Sequence, residues 1–207
     1  MNRKKDLIKV LDTYQNKYFE TEKKIHEVQK NNTVVEEYKQ QEIQKISAAF
    51  AETTRTAHET ATRLLEEGRK ALESKWTKNT IGKLADSDYQ IGVNSLLSRI
   101  RAGVITQPQE IKNIVEMYRD DIDTLQCIGY ELGCNPATRD LKVFIPEDHR
   151  KRNRELLDQV KSNIDKYISV TKMQNTRRWN TFNTTPMNLQ GIITFLDEKL
   201  DDNFELK

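Results

Sequence analysis

The chain has 207 residues, 36% hydrophobic and 32% charged, with only seven Gly and four Pro, a composition that favours long helices over sheets or a Gly-rich catalytic scaffold. Lys and Arg number 34 against 32 Asp and Glu, a formal charge of +2 that excludes a single-sign field over the whole chain and leaves phosphate binding to local patches. Cys127 and Cys134 are too few for a disulfide-built scaffold, and no apolar run approaches the roughly 20 residues of a membrane span.

The basic start, Met1 to Lys5, is followed by no apolar signal core. The expected location is therefore the cytoplasm or the inside of a viral particle, without export by a signal peptide. The fold class expected is all-α: a long N-terminal coiled-coil-like rod or helical hairpin, then a compact helical module.

Residues 1–78 read as the rod. Leu7, Leu11, Tyr14, Tyr18, Ile25 and Val28 recur at three- and four-residue steps, and Val35 closes the run. A second run carries Ile43, Ile46, Phe50, Ala57 and Leu64 on one face. These twelve residues are the expected rod interface, because one helix cannot bury its own stripe and needs a partner from this chain or another. Asn31, Asn32 and Thr33 are weak helix formers in succession, and Glu36 stands where a capping box from Thr33 would place it. A break at 31–33 folds the rod into a hairpin; without one it runs on for about 100 Å. From Ser47 to Thr62 small side chains predominate, which suits a closely packed neighbour. Gly68 marks a close crossing or a bend, and Trp76 is the expected anchor at the junction with the next module.

Residues 79–170 read as a helical bundle module. Asp86 or Ser87 caps a helix through Tyr89, Val93, Leu97 and Ile100, stopped at Gly103. Thr106 and Pro108 open a second one, expected to run unbroken through Ile111, Tyr118, Leu125 and Leu132 to Gly133. Asp120, Asp121 and Asp123 read as its solvated surface. Leu141, Val143, Phe144 and Ile145 suggest either an extended segment or a packed connector. Pro146, Glu147 and Asp148 then start a helix whose first turns hold Arg150, Lys151, Arg152 and Arg154. Residues 171–185 read as a loop carrying Arg177, Arg178 and Trp179. Residues 186–207 read as an amphipathic helix, with Leu189, Ile192 and Leu196, followed by a polar tail.

No catalytic signature accompanies this pattern. His26, His58 and His149 stand apart, and neither a zinc, a phosphate-loop nor a dinucleotide motif occurs. The expectation is a non-enzyme without cofactor or metal: a structural or assembly protein acting through helical self-association and partner docking, such as a phage virion or capsid-assembly component. The expected partners are further copies or other assembly subunits, and no membrane. Two alternatives stand behind it. One is a nucleic-acid-binding protein using Arg150, Lys151, Arg152, Arg154, Arg177, Arg178 and Trp179. The other is a regulatory adaptor that binds a partner helix.

Overall fold

The computed structural model describes residues 2–169 and 185–207, of which 79–82, 84 and 185–187 are described by backbone alone. Among them the fold is all-α and multi-helical, with no strand and a single isolated bridge between Leu200 and Leu206. The helices are α1 (Arg3–Lys30), α2 (Glu36–Leu84), α3 (Ser87–Arg101), α4 (Pro108–Met117), α5 (Ile122–Cys134), α6 (Arg150–Tyr167) and α7 (Thr185–Lys199). A 3-10 turn spans Arg139–Phe144. No helix of the described residues is long and apolar enough to cross a membrane.

The chain divides into two compact units, Met1–Leu72 with Arg152–Lys207, and Glu73–Lys151. This division differs from the expected one. The C-terminal helix and tail, expected to stand apart, join the N-terminal helices, and α2 passes without interruption through the position expected to end the rod. The physical reason is that the apolar stripes of α6 and α7 need cover as much as those of α1 and α2 do.

In the first unit α1 begins earlier than its apolar pattern suggests, because the Asn2 side chain accepts from the Lys5 backbone N–H and caps it. It ends at Lys30, and Asn31 accepts from both the backbone N–H and the hydroxyl of Thr33 in the turn before α2. Three pairings set the register of α1 on α2. Lys39 Nζ donates to the Gln29 carbonyl at 3.1 Å, the Tyr14 and Thr54 hydroxyls are 3.5 Å apart, and Arg3 meets Glu67 at 3.6 Å. As the residue number falls along α1 it rises by nearly the same amount along α2, so the two helices run antiparallel. Helix α6 lies along α2 through His58–Asp165 (2.8 Å) and Arg69–Asp158. Helix α7 packs on α1.

The segment after α7 closes this unit. Lys4, 4% exposed, donates from Nζ to the Leu200 carbonyl at 2.9 Å and lies 3.8 Å from Asp202 and 4.0 Å from Asp197. A lysine is tolerated there because two carboxylates lie near its charge and the Leu200 carbonyl accepts one of its protons. Asn153 holds the tail from both sides, donating to the Phe204 carbonyl at 3.0 Å and accepting from the Leu206 N–H at 2.7 Å. Phe204 adopts a left-handed backbone (φ 64) and buries its ring directly over Gly68.

The second unit has its own core of Val93, Ile100, Ile105, Ile111, Tyr118, Leu125, Ile128, Leu132 and Leu141. The helix expected from 106 to 133 is two helices, broken at Tyr118–Asp121. Asp121 is the reason. Its carboxylate caps α5 by accepting from the Thr124 N–H (3.1 Å) and hydroxyl (2.8 Å), and it takes a third hydrogen bond from the Tyr89 hydroxyl at 2.6 Å. Expected as solvated surface, Asp121 is instead 4% exposed. Leu141 to Phe144 are not extended either but lie in the 3-10 turn, with Leu141 in the core, and extended backbone begins only at Ile145.

Candidate interaction site

The stripe expected to form a rod interface is largely interior to the first unit. Leu7, Leu11, Tyr14, Tyr18, Ile25, Phe50 and Leu64 are buried, Val28, Ile43, Ile46 and Ala57 are half-buried, and only Val35 is exposed. The chain covers its own stripe: Tyr14 stacks on Phe50 at 5.6 Å between ring centroids, and Tyr18 meets the same ring edge-on at 6.0 Å. Burial pushes both tyrosine hydroxyls above their ordinary pKa. The Thr54 hydrogen bond offsets this in part for Tyr14, whereas Glu22 adds to it for Tyr18. They are neutral packing groups.

Among the described residues, the other side of the α1–α2 pair remains open. A groove of about 540 Å³ runs between these helices. Tyr14, Ala57 and Leu64 form its floor, Val10, Thr13, Thr53, Thr56 and Thr60 its walls, and Asp6, Lys9, Lys17, Glu52 and Arg63 its rim. The wall residues recur at three- and four-residue steps, which brings them to one face, while the core-facing Ala61 and Leu65 point to another. Short side chains on the walls let a further helix axis approach to the usual 8–10 Å. The rim mixes acids and bases. Glu52 and Arg63 are paired to exposed neighbours on their own helix, Arg55 and Glu67, and such contacts are worth little and are readily exchanged.

Further along, α1 and α2 outrun their cover. Helix α7 has 15 residues, about 22 Å, and with Leu200 at Lys4 it reaches no farther along α1 than about Phe19. Helix α6 ends at Tyr167, just past the Asp165 contact with His58. Among the described residues nothing else covers the two helices beyond these levels, and Phe19, Val35 and Tyr38 are exposed at 46%, 72% and 52%. A second, smaller groove of about 270 Å³ lies between α6 and α7 over Val160, Ile192 and Phe195.

Arg150 is bound to Asp148 and Asp123, which raise its pKa, and it holds the Asp148 carboxyl below the usual carboxylate range. An arginine so paired serves as a structural tie within its unit. Lys151, Arg152 and Arg154 are exposed, whereas Arg177, Arg178 and Trp179 lie outside the described residues, as does the expected loop up to residue 184. Trp76 is half-buried within α2. Both cysteines are free and exposed. No group of three His, Cys, Asp or Glu among the described residues is placed to hold a metal.

The sequence signal for the groove was the run of small residues from Ser47 to Thr62. The contribution of Val10 and Thr13 had no such signal, because they flank the apolar stripe instead of belonging to it. Comparison with known proteins adds no family to this description: no family model, no curated protein and no solved structure matches the chain.

Proposed function

We propose that this chain is a non-enzymatic assembly protein that works by self-association, docking helices onto the uncovered side of the α1–α2 pair. The observation that supports this reading is the groove between α1 and α2, walled by small side chains and continuing into a two-helix arm with exposed Phe19, Val35 and Tyr38. A face that is more apolar than polar, walled by small side chains and mixed in charge suits a protein partner better than a polyanion. Because α6 and α7 pack on α1 and α2, the full chain is the unit to measure. Sedimentation velocity from micromolar to sub-millimolar concentration is expected to give a mass that rises above the monomer. A monomer throughout that range refutes the reading.

A further inference from the structure

Four of the five rim charges of the α1–α2 groove, all but Lys9, carry a symmetry that names the occupant. On α1, Asp6 and Lys17 are eleven residues apart; on α2, Glu52 and Arg63 are eleven residues apart. Eleven residues bring a helix back to nearly the same face, about 16 Å farther along. The α1 pair has its midpoint between Leu11 and Asp12, and the α2 pair between Ala57 and His58. The pairings Tyr14–Thr54 and Arg3–Glu67 set these two midpoints at the same level of the unit.

From this placement we infer that the face of the α1–α2 pair around the groove docks a second copy of the same chain, face to face, about a twofold axis crossing both helices at that level. Such an axis lays each α1 antiparallel on its counterpart, and each α2 likewise. Asp6 of one copy then faces Lys17 of the other, Glu52 faces Arg63, and Val10 faces Thr13, each contact occurring twice. Isologous pairing requires a surface complementary to itself, and these charges meet that requirement on both helices at once. A partner of one sign would meet as many repulsive as attractive groups in these two pairs.

The overlap extends over the part of α1 from Arg3 to Glu20 and the matching part of α2, about 26 Å long and, for two helices of about 10 Å, about 20 Å wide. That is ~500 Å² of footprint per copy, about 1,000 Å² together, at the lower edge for specific interfaces. The dimer is therefore expected to dissociate in the micromolar range or above.

The inference rests on reading this face as a docking surface, and charge exchange separates the two. Lys17→Glu in the full chain sets two like-charge contacts per dimer against Asp6. Sedimentation velocity should show a dissociation constant raised on the order of tenfold or more. The double variant Asp6→Lys with Lys17→Glu exchanges the charges and should recover the wild-type value. Glu52→Arg with Arg63→Glu repeats the test on α2, each single change weakening the dimer and the pair restoring it. Circular dichroism confirms that each variant folds. Association unmoved by the single reversals, or weakened by them without recovery in the doubles, overturns the twofold pairing while self-association stands. A monomeric wild type overturns both.

Discussion

Replacing Gly68 by Ala is a change that ordinary helix energetics favours and this structure opposes. In a helix interior Ala is better than Gly by about 1 kcal/mol. A Cβ added at Gly68, however, overlaps two carbons of the Phe204 ring. The ring cannot easily yield. It is 1% exposed, its carbonyl accepts from Asn153, its own N–H donates to the Asp201 carbonyl at 3.2 Å, and the next residue but one is tied to Asn153 as well. Overpacking costs about 1–3 kcal/mol, and a contact this short against a clamped ring belongs in the upper half of that range. The expected net effect is a loss of about 1–2 kcal/mol. Urea unfolding followed by far-ultraviolet circular dichroism measures it as a lower midpoint at constant slope. Phe204→Ala by itself should cost about 3–5 kcal/mol through the cavity it leaves. With the ring gone, Gly68→Ala should change sign and stabilise by about 1 kcal/mol. The reasoning fails if Gly68→Ala stabilises the wild type, or if its effect has the same sign in both backgrounds.

Three further outcomes are expected from the same contacts. Asp121→Ala removes the α5 cap, about 0.5–2 kcal/mol, and strands the Tyr89 hydroxyl, about 1–3 kcal/mol, so urea unfolding should report a loss of about 2–4 kcal/mol, with Asp121→Asn losing much less. Lys4→Ala leaves the Leu200 carbonyl without its buried donor, and amide hydrogen exchange should show residues 200–206 losing protection ahead of the rest of the unit. The pH dependence follows from Asp148, whose pKa is lowered chiefly by the Arg150 hydrogen bond. A carboxyl with a depressed folded pKa contributes stability that is fully present above its ordinary value of 3.8 and is lost as pH falls through the folded value. Stability should therefore decline on acidification below about pH 4, and Asp148→Asn should flatten that decline; an unchanged acid limb contradicts the assignment.

Much of the helical pattern was legible because periodicity reports which face is buried. Leu7, Leu11, Tyr14 and Tyr18 stood out by spacing alone, and Gly68 was marked by its position inside an otherwise uninterrupted run. What spacing does not report is which partner provides the burial. The stripe demanded cover, and nothing local identified α6 and α7 as its source, since pairings such as Arg69–Asp158 and Lys4–Leu200 join residues distant in sequence. Phe204 was harder still: one aromatic in a polar tail has no period. The break at Asp121 was hidden because Tyr118, Ile122 and Leu125 continue the apolar spacing of Ile111 and Ile114 across it, and only a capping side chain distinguishes a stop from a continuation. Val143 and Ile145 suggested extended backbone through their branching; Ile145 is extended, whereas Val143 lies in a 3-10 turn that seats Leu141 in the core. For the groove, the small residues of α2 were visible and their counterparts on α1 were not, because a groove belongs to two helices and a residue pattern to one.

The first unit is built from two stretches of chain with the whole of the second unit between them, and this has a consequence for the order in which the molecule can be made. A ribosome delivers the N-terminal residues first. Residues 73–151 have every member of their core on hand as soon as they emerge, whereas α1 and α2 must wait through that entire interval before α6, α7 and the tail arrive. During the wait Leu7, Leu11, Leu64 and Leu65 face water, or one another across the α1–α2 pair. The closing act falls to a short segment, residues 200–206, which delivers the Phe204 ring to Gly68 and the Leu200 carbonyl to Lys4. Synthesis halted just before that segment would leave a chain with one finished unit and one whose earliest-made helices still lack their final cover.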